Sequence, residues 1–198
     1  MRAYRKLPSS FYARPVLTVA RDCIGKILVR RTPEGLTGGR IVECEAYRGP
    51  ADRAAHSSRG RTKRTEAMFG PPGRAYVYLL YGVSWAFNIV VAREGEPHAV
   101  LVRALEPMLG LELMAARRGM PADSRLLTNG PGKLCQALGI TKSDYGRDLA
   151  GNELYLFDGP RSKIARSARI NVDYAGAWAA RPWRFFERGN RFVSVPPR

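Results

Sequence analysis

Two carboxylates stand inside the apolar run Ile41-Val42-Glu43-Cys44-Glu45-Ala46-Tyr47-Arg48-Gly49-Pro50, in a chain whose formal net charge is +16. Strand side chains alternate between faces. The spacing therefore predicts Glu43, Glu45 and Tyr47 on one face and Val42, Cys44 and Ala46 on the other. Acidic residues are scarce, 17 against 33 Lys plus Arg. Holding two of them on one strand is costly unless they are paired or used. Two chemistries fit. Either one Glu acts as a general base toward a water within hydrogen-bond reach, with the other's like charge raising one pKa, or both pair with arginines from neighbouring strands.

Arg103 bears on that choice, because it interrupts the apolar segment Ala99-Val100-Leu101-Val102-Arg103-Ala104-Leu105. A guanidinium in mid-strand calls for a carboxylate or a phosphate. It serves either as a salt bridge to Glu43 or Glu45, or as a group beside a reacting water and a phosphodiester. A third group is Ala75-Tyr76-Val77-Tyr78-Leu79-Leu80-Tyr81. Alternation puts Tyr76 and Tyr78 on one side and Tyr81 on the other, at the end of a hairpin. Strand aromatics are commonly cross-strand partners. An aromatic tip at Tyr81-Gly82-Val83 on so basic a chain also resembles a wedge that unstacks bases from the minor groove. Asn88, beside Phe87, would be an odd core residue and could read a base edge.

The elements that must position these groups follow from pattern and punctuation. Ser9 or Ser10 caps a short helix, and Pro15 opens a second that runs to Gly25. Strands are expected at 26–30 and 40–47 across the turn Pro33-Glu34-Gly35, at 75–81 and 85–91 as a β-hairpin, and at 98–105. Pro107 is expected to open a helix ending near Gly119, and Pro131 another that stops at Gly139. Further strands are expected at 154–157, 163–170 and 192–195, with a short helix at 176–186 interrupted by Pro182. Residues 1–8 read as a loose basic arm and 9–198 as one domain. The class is α+β: a single mixed domain with a curved, mainly antiparallel sheet, flanking helices and a protruding β-hairpin. Residues 48–73 form an irregular stretch, and a loop this long is usually functional or disordered. It holds His56 and the bases Arg53, Arg59, Arg61, Lys63 and Arg64.

At 198 residues and 45% hydrophobic composition the chain can bury a good core. Its charge is spread along the sequence, not confined to a tail, and points first to nucleic acid. Cys23, Cys44 and Cys135 lie far apart in apolar surroundings, which suggests buried free thiols in a reducing compartment, not a zinc site or disulfide framework. No apolar run reaches membrane-spanning length, and the basic start has no apolar stretch behind it. A cytoplasmic location is the expectation. No Gly-rich dinucleotide or Walker fingerprint appears.

Four ordered blocks resemble a known family. They are 41–47 with Gly49-Pro50 and Ala55-His56; Tyr76-Val77-Tyr78-Leu79-Leu80-Tyr81-Gly82 with Asn88; Leu101-Val102-Arg103-Ala104-Leu105-Glu106-Pro107; and Asn129-Gly130-Pro131-Gly132-Lys133-Leu134-Cys135-Gln136-Ala137-Leu138. The chain is similar, from about Leu7 to Val195, to the alkyladenine or 3-methylpurine DNA glycosylases, monofunctional enzymes that start base excision repair. The resemblance implies Glu45 as the base that activates water against the sugar C1′, with Arg103 holding that water and the backbone. It implies Tyr47, His56 and Tyr78 as walls for a flipped base, Asn88 at its edge, and Tyr81 in the minor groove. Gly82 and Val83 at the tip, with Arg59, Arg61, Lys63 and Arg64 in the loop, would contact DNA. The implied partner is double-stranded DNA containing damaged purines, acted on by a monomer without metal or cofactor. Val83 and Ser84 stand where better-known members carry larger side chains, so the tip should hold distorted DNA less firmly. The alternatives that the residues leave open are a non-enzymatic nucleic-acid-binding module and a metal nuclease using Glu43, Glu45, Asp52 and His56.

Overall fold

The computed structural model describes residues 5–160 and 162–195. The architecture is α+β, as expected: a curled antiparallel sheet with a few short helices. Strands are β1 (Ile27–Thr32), β2 (Gly35–Arg48), β3 (Ala75–Leu80), β4 (Ser84–Val91), β5 (His98–Leu109), β6 (Leu154–Phe157), β7 (Ile164–Ser167) and β8 (Arg184–Glu187). They are ordered β3-β4-β5-β2-β1-β6, and β8 joins β7 to β2. Helices are α1 (Ser9–Tyr12), α2 (Val16–Cys23), α3 (Leu111–Arg118) and α4 (Pro131–Leu138). Among the described residues no helix is long and apolar enough to cross a membrane.

The long strand β2 organises the site. One edge pairs with β5, while the other pairs first with β1 and then, over Glu43–Glu45, with β8. The two carboxylates are thus flanked by strands on both sides. The main core lies on the opposite face, where α2 and α4 pack their apolar stripes against Ile41, Cys44, Val102 and Leu105.

Alternation fails at one place that matters. Ile41 pairs with Leu105 and Cys44 with Val102, and all four enter the main core. Between them, the register is irregular on both strands. Val42 therefore leaves the face predicted for it and packs with Ala104 and Phe192 in a separate small cluster. Two consecutive residues on each strand, Val42–Glu43 and Arg103–Ala104, lie away from the main core. Such irregularities re-aim side chains next to functional sites.

Other expectations are corrected. Pro107 does not open a helix: β5 continues through it, pairing Pro107 with Gly39, and the chain enters α3 only after left-handed Gly110. A proline is tolerated there because the pairing slips at Gly38/Gly39. Only Ile164–Ser167 of the 163–170 segment is strand. Residues 176–186 are not a helix. A 3-10 turn spans Asp173–Trp178, and β8 begins after Pro182 because its backbone finds partners on both sides, in β2 and β7, where Phe185 and Phe186 are buried. Residues 192–195 form no strand. Residues 6 and 7 are not loose, since Lys6 bridges Phe157 and Leu7 is buried. The first four residues of the expected arm lie outside the described residues.

Candidate active site

Glu43 and Glu45 point the same way but keep different company. Glu43 Oε1 accepts from Arg103 Nε at 3.0 Å, from Arg184 Nε at 2.7 Å and from the Ser194 hydroxyl at 2.9 Å; Oε2 accepts from the Ser194 N–H at 2.6 Å. Glu45 Oε2 accepts from the Tyr47 hydroxyl at 2.8 Å and from Arg103 Nη1 at 3.4 Å, and Oε1 accepts from the Ile170 N–H at 2.7 Å. Both carboxylates are fully buried. The difference lies in their partners. Tyr47, Arg103 and Ile170, which hold Glu45, all line one cavity of about 400 Å³. That volume falls within the range for small-ligand sites. Glu43 is clasped from β5 and β8 on the side of Ser194.

Aromatic side chains build the cavity. Tyr76, Tyr78 and Tyr47 line it with His56, Leu101 and Asn88. His56 Nδ1 lies 2.8 Å from the Tyr76 hydroxyl, and its ring stands edge-on to Tyr78 at 4.5 Å. Burial, then Arg64 and Arg59, lower the His56 pKa to about 4, so the ring is neutral at pH 7. Burial pushes the Tyr76 hydroxyl up to about 12. Burial and then the Glu45 charge raise Tyr47, keeping it a proton donor toward Glu45. Arg103 is opposed by burial, but Glu45 and Glu43 outweigh that and raise its pKa, so its charge is secure. Asn88 pairs with Tyr76 across the hairpin, and its amide donates to the Tyr76 carbonyl at 3.1 Å while the residue lines the cavity.

The hairpin tip places Tyr81 differently from simple alternation. Tyr81 and Gly82 have φ of 51° and 73°, and the Val83 N–H donates to the Leu80 carbonyl at 3.1 Å. Positive φ at both central residues is the type I′ pattern that suits tight hairpins. The turn brings Tyr81 to the cavity that Tyr78 also lines, although 76% of the residue remains exposed. Val83 beside it is 84% exposed. Where the return strand leaves the turn, Ser84 meets α4 at Gly132, where a Cβ would lie 2.7 Å from Ser84 Cβ.

The basic loop 48–73 carries 3-10 turns at His56–Arg59 and Glu66–Phe69. Its bases are not equivalent. Arg64 lies over Tyr78 at 5.2 Å and lines the cavity. Arg61 pairs with Glu66 at 2.5 Å. Arg59 and Lys63 are exposed, and neither makes a side-chain ion pair among the described residues.

Further residues complete the site. Asp52, weighed above as a metal ligand, is instead gripped at both oxygens by Arg169, at 2.6 and 2.9 Å, with both side chains fully buried. The same guanidinium donates to the Ala46 and Trp178 carbonyls and lies over the Tyr47 and Trp183 rings at 4.8 and 5.2 Å. Ile170, next in sequence, donates to Glu45. Arg184 and Ser194 hold Glu43, and Tyr174 forms part of the cavity wall. The contacts to Glu43, Glu45, Ala46 and Asp52 join residues more than 110 positions apart in the chain, so no local spacing announces them. The available signal was the excess of arginines around 166–184 beside scarce carboxylates.

Fold and site define an α+β enzyme class in which a basic molecule presents an aromatic cavity with a carboxylate behind its wall. The sequence model for the methylpurine-DNA glycosylase family matches residues 10–191, and the chain belongs to that family. It is accordingly a hydrolase, a DNA N-glycosylase of DNA repair. Among similar proteins, one from Anaeromyxobacter dehalogenans (strain 2CP-1) is 51% identical over 195 residues, covering 97% of this chain and 87% of its own. One from Methanocella arvoryzae is 50% identical, covering 95% of each chain, and one from Bacillus licheniformis is 47% identical, covering 97% and 98%. Each bears the name "Putative 3-methyladenine DNA glycosylase".

Proposed function

We propose that this chain flips alkylated purines, 3-methyladenine foremost, out of duplex DNA and hydrolyses their N-glycosidic bond with a water activated by Glu45. The observation that carries the proposal is the shared position of Glu45's three partners on the aromatic cavity wall. A base in a duplex must leave the stack to reach such a cavity, at a cost of a few kcal/mol. Tyr81 at the exposed tip fills the gap. Tyr47, Tyr78 and His56 face the extruded ring, and Asn88 checks its edge. A 3-methylated adenine carries positive charge, which tyrosine faces attract by about 0.5–2 kcal/mol.

In the chemical step, the water oxygen bonds to C1′ as the bond from C1′ to the purine nitrogen breaks. The bonding pair leaves with the purine and quenches its positive charge. Glu45 takes the water proton, and its anion stabilises the oxocarbenium-like sugar beforehand, as glycosidase carboxylates do. Arg103 donates to Glu45 Oε2 at 3.4 Å and orients the water and backbone. Glu43 has the supporting role of fixing Arg103. Gly82 and Val83 at the tip, with Arg59, Arg61, Lys63 and Arg64 nearby, face the DNA, and a monomer suffices because the residues around the aromatic cavity all come from this chain.

With His56 neutral at pH 7 and the tyrosine hydroxyls raised, no cavity group is poised to protonate a neutral lesion. The cationic lesions 3-methyladenine and 7-methylguanine are therefore excised faster than neutral hypoxanthine. The test is to incubate the protein with methylated and inosine-containing duplexes in EDTA and measure free base. Free 3-methyladenine without strand cutting is expected. Cutting that requires added metal, or binding without base release, would overturn the proposal.

A further inference from the structure

A second cavity, of about 560 Å³, lies on the other side of the Glu43–Arg103 network. Its lining includes Arg125, Arg166, Arg188 and Arg191, together with Asn129 and Ser194. None of the four guanidiniums has a carboxylate within salt-bridge distance among the described residues. The one acidic residue of the lining, Glu187, is already engaged by Arg40 at 2.8 Å and by Asn190 at 2.9 Å. Arg191 does donate to the Asp123 carbonyl at 3.5 Å and lie over the Phe192 ring at 4.9 Å, but concentrating four cations without a paired carboxylate around one concavity is unfavourable unless an anion enters it. Nearby Lys133 has its pKa lowered by burial and then by Arg118 and Arg125, which shows the sign of the local field.

The position of this groove is as informative as its charge. Ser194 accepts from Arg103 Nη2 at 3.4 Å, and Arg103 itself lines the aromatic cavity. Asn129 lines the groove and Pro131, two residues on, lines the aromatic cavity. The two concavities therefore adjoin each other through the Arg103–Ser194 contact, so that one nucleic-acid strand can reach both.

We infer that the groove at Arg125, Arg166, Arg188 and Arg191 is a phosphodiester-binding site for the DNA strand that leaves the reaction cavity. This rests on the glycosylase reading above and adds a second anchor to the basic loop, whose Arg61 is already neutralised by Glu66. The contacts go to phosphate, so the groove strengthens damaged and undamaged duplex alike. It sets where the strand lies, not which base is removed.

The test pairs Arg166→Gln/Arg188→Gln with a control of equal charge change, Arg31→Gln/Arg93→Gln, whose residues are exposed and line neither cavity. Dissociation constants for damaged and undamaged duplex are measured by fluorescence anisotropy between 50 and 300 mM salt, about the range where phosphate contacts dominate. Single-turnover excision is measured at saturating enzyme. Each lost phosphate contact should reduce the salt slope by about 0.9 and affinity by roughly tenfold near 0.1 M salt. Both duplexes should weaken in parallel, with excision at saturation unchanged. An unchanged slope, or a loss no greater than the control's, would overturn the groove. The glycosylase reading fails separately, by absence of base release from the wild-type protein, and the binding arm reads the groove in either case.

Discussion

Asp52→Asn should damage both stability and chemistry, through one ion pair. The substitution keeps the shape of the side chain and removes its charge. Arg169 would then remain fully buried with two carbonyls and two aromatic faces but no anion, and its Nε already lacks a hydrogen-bond partner. Breaking one side of a buried pair costs about 3–5 kcal/mol. For a chain of this size that is a fall in melting temperature of roughly 6–20 °C. Arg169 also supports the Tyr47 ring from behind and precedes Ile170, whose N–H holds Glu45 at 2.7 Å. Misplacement near 1 Å can cost about a hundredfold in rate. Urea unfolding and single-turnover base release, the latter at a temperature where the variant is folded, read the two effects. A stability loss under about 1 kcal/mol, or full-rate excision by the destabilised variant, would refute the coupling.

Tyr81→Ala should leave folding unchanged, because the residue is 76% exposed, and should weaken lesion-duplex binding and excision together. Unaltered lesion affinity would make the tip merely structural. Gly132→Ala should cost about 1–3 kcal/mol, because its Cβ would sit 2.7 Å from Ser84 Cβ. The double variant with Ser84→Gly should recover most of that in urea unfolding, and no recovery would exclude this contact as the cause. His56 has a folded pKa of about 4 against an ordinary 6.5, so between those values the unfolded chain binds a proton that the folded chain does not. Its contribution is present above pH 6.5 and lost as pH falls to 4. His56→Gln should therefore remove about 2–3 kcal/mol of the stability change between pH 7 and pH 4, and an unchanged pH dependence would contradict the shift.

Much of the frame was legible because its signals are local. The alternation in β3 and β4, the Pro131 start and Gly139 stop of α4, and the Glu-x-Glu of β2 all follow from nearest-neighbour stereochemistry. Pro107 misled because a proline at a slipped register position costs a strand little, and its neighbours already belonged to β5. Strand β8 was hidden by Pro182 and by apolar residues that suit either a helix or a strand until β2 and β7 are present. Val42 departed from its predicted face because β2 and β5 are irregular at the same level, a property of the pair and not of either strand. The sequence could not distinguish Glu43 from Glu45, since the distinction is made by Arg184, Ser194 and Ile170, which arrive from 125 or more residues away. The Asp52–Arg169 pair spans 117 positions and escaped for the same reason.

The most direct measurement of the central claim uses Glu45→Gln and a duplex carrying one 3-methyladenine. Equilibrium binding and single-turnover base release are recorded on the same preparation, with Glu43→Gln alongside. Affinity of Glu45→Gln for the duplex should stay within a few-fold of wild type while release falls by about 10²–10⁴-fold. Release at the wild-type rate by Glu45→Gln would remove that carboxylate from the chemistry.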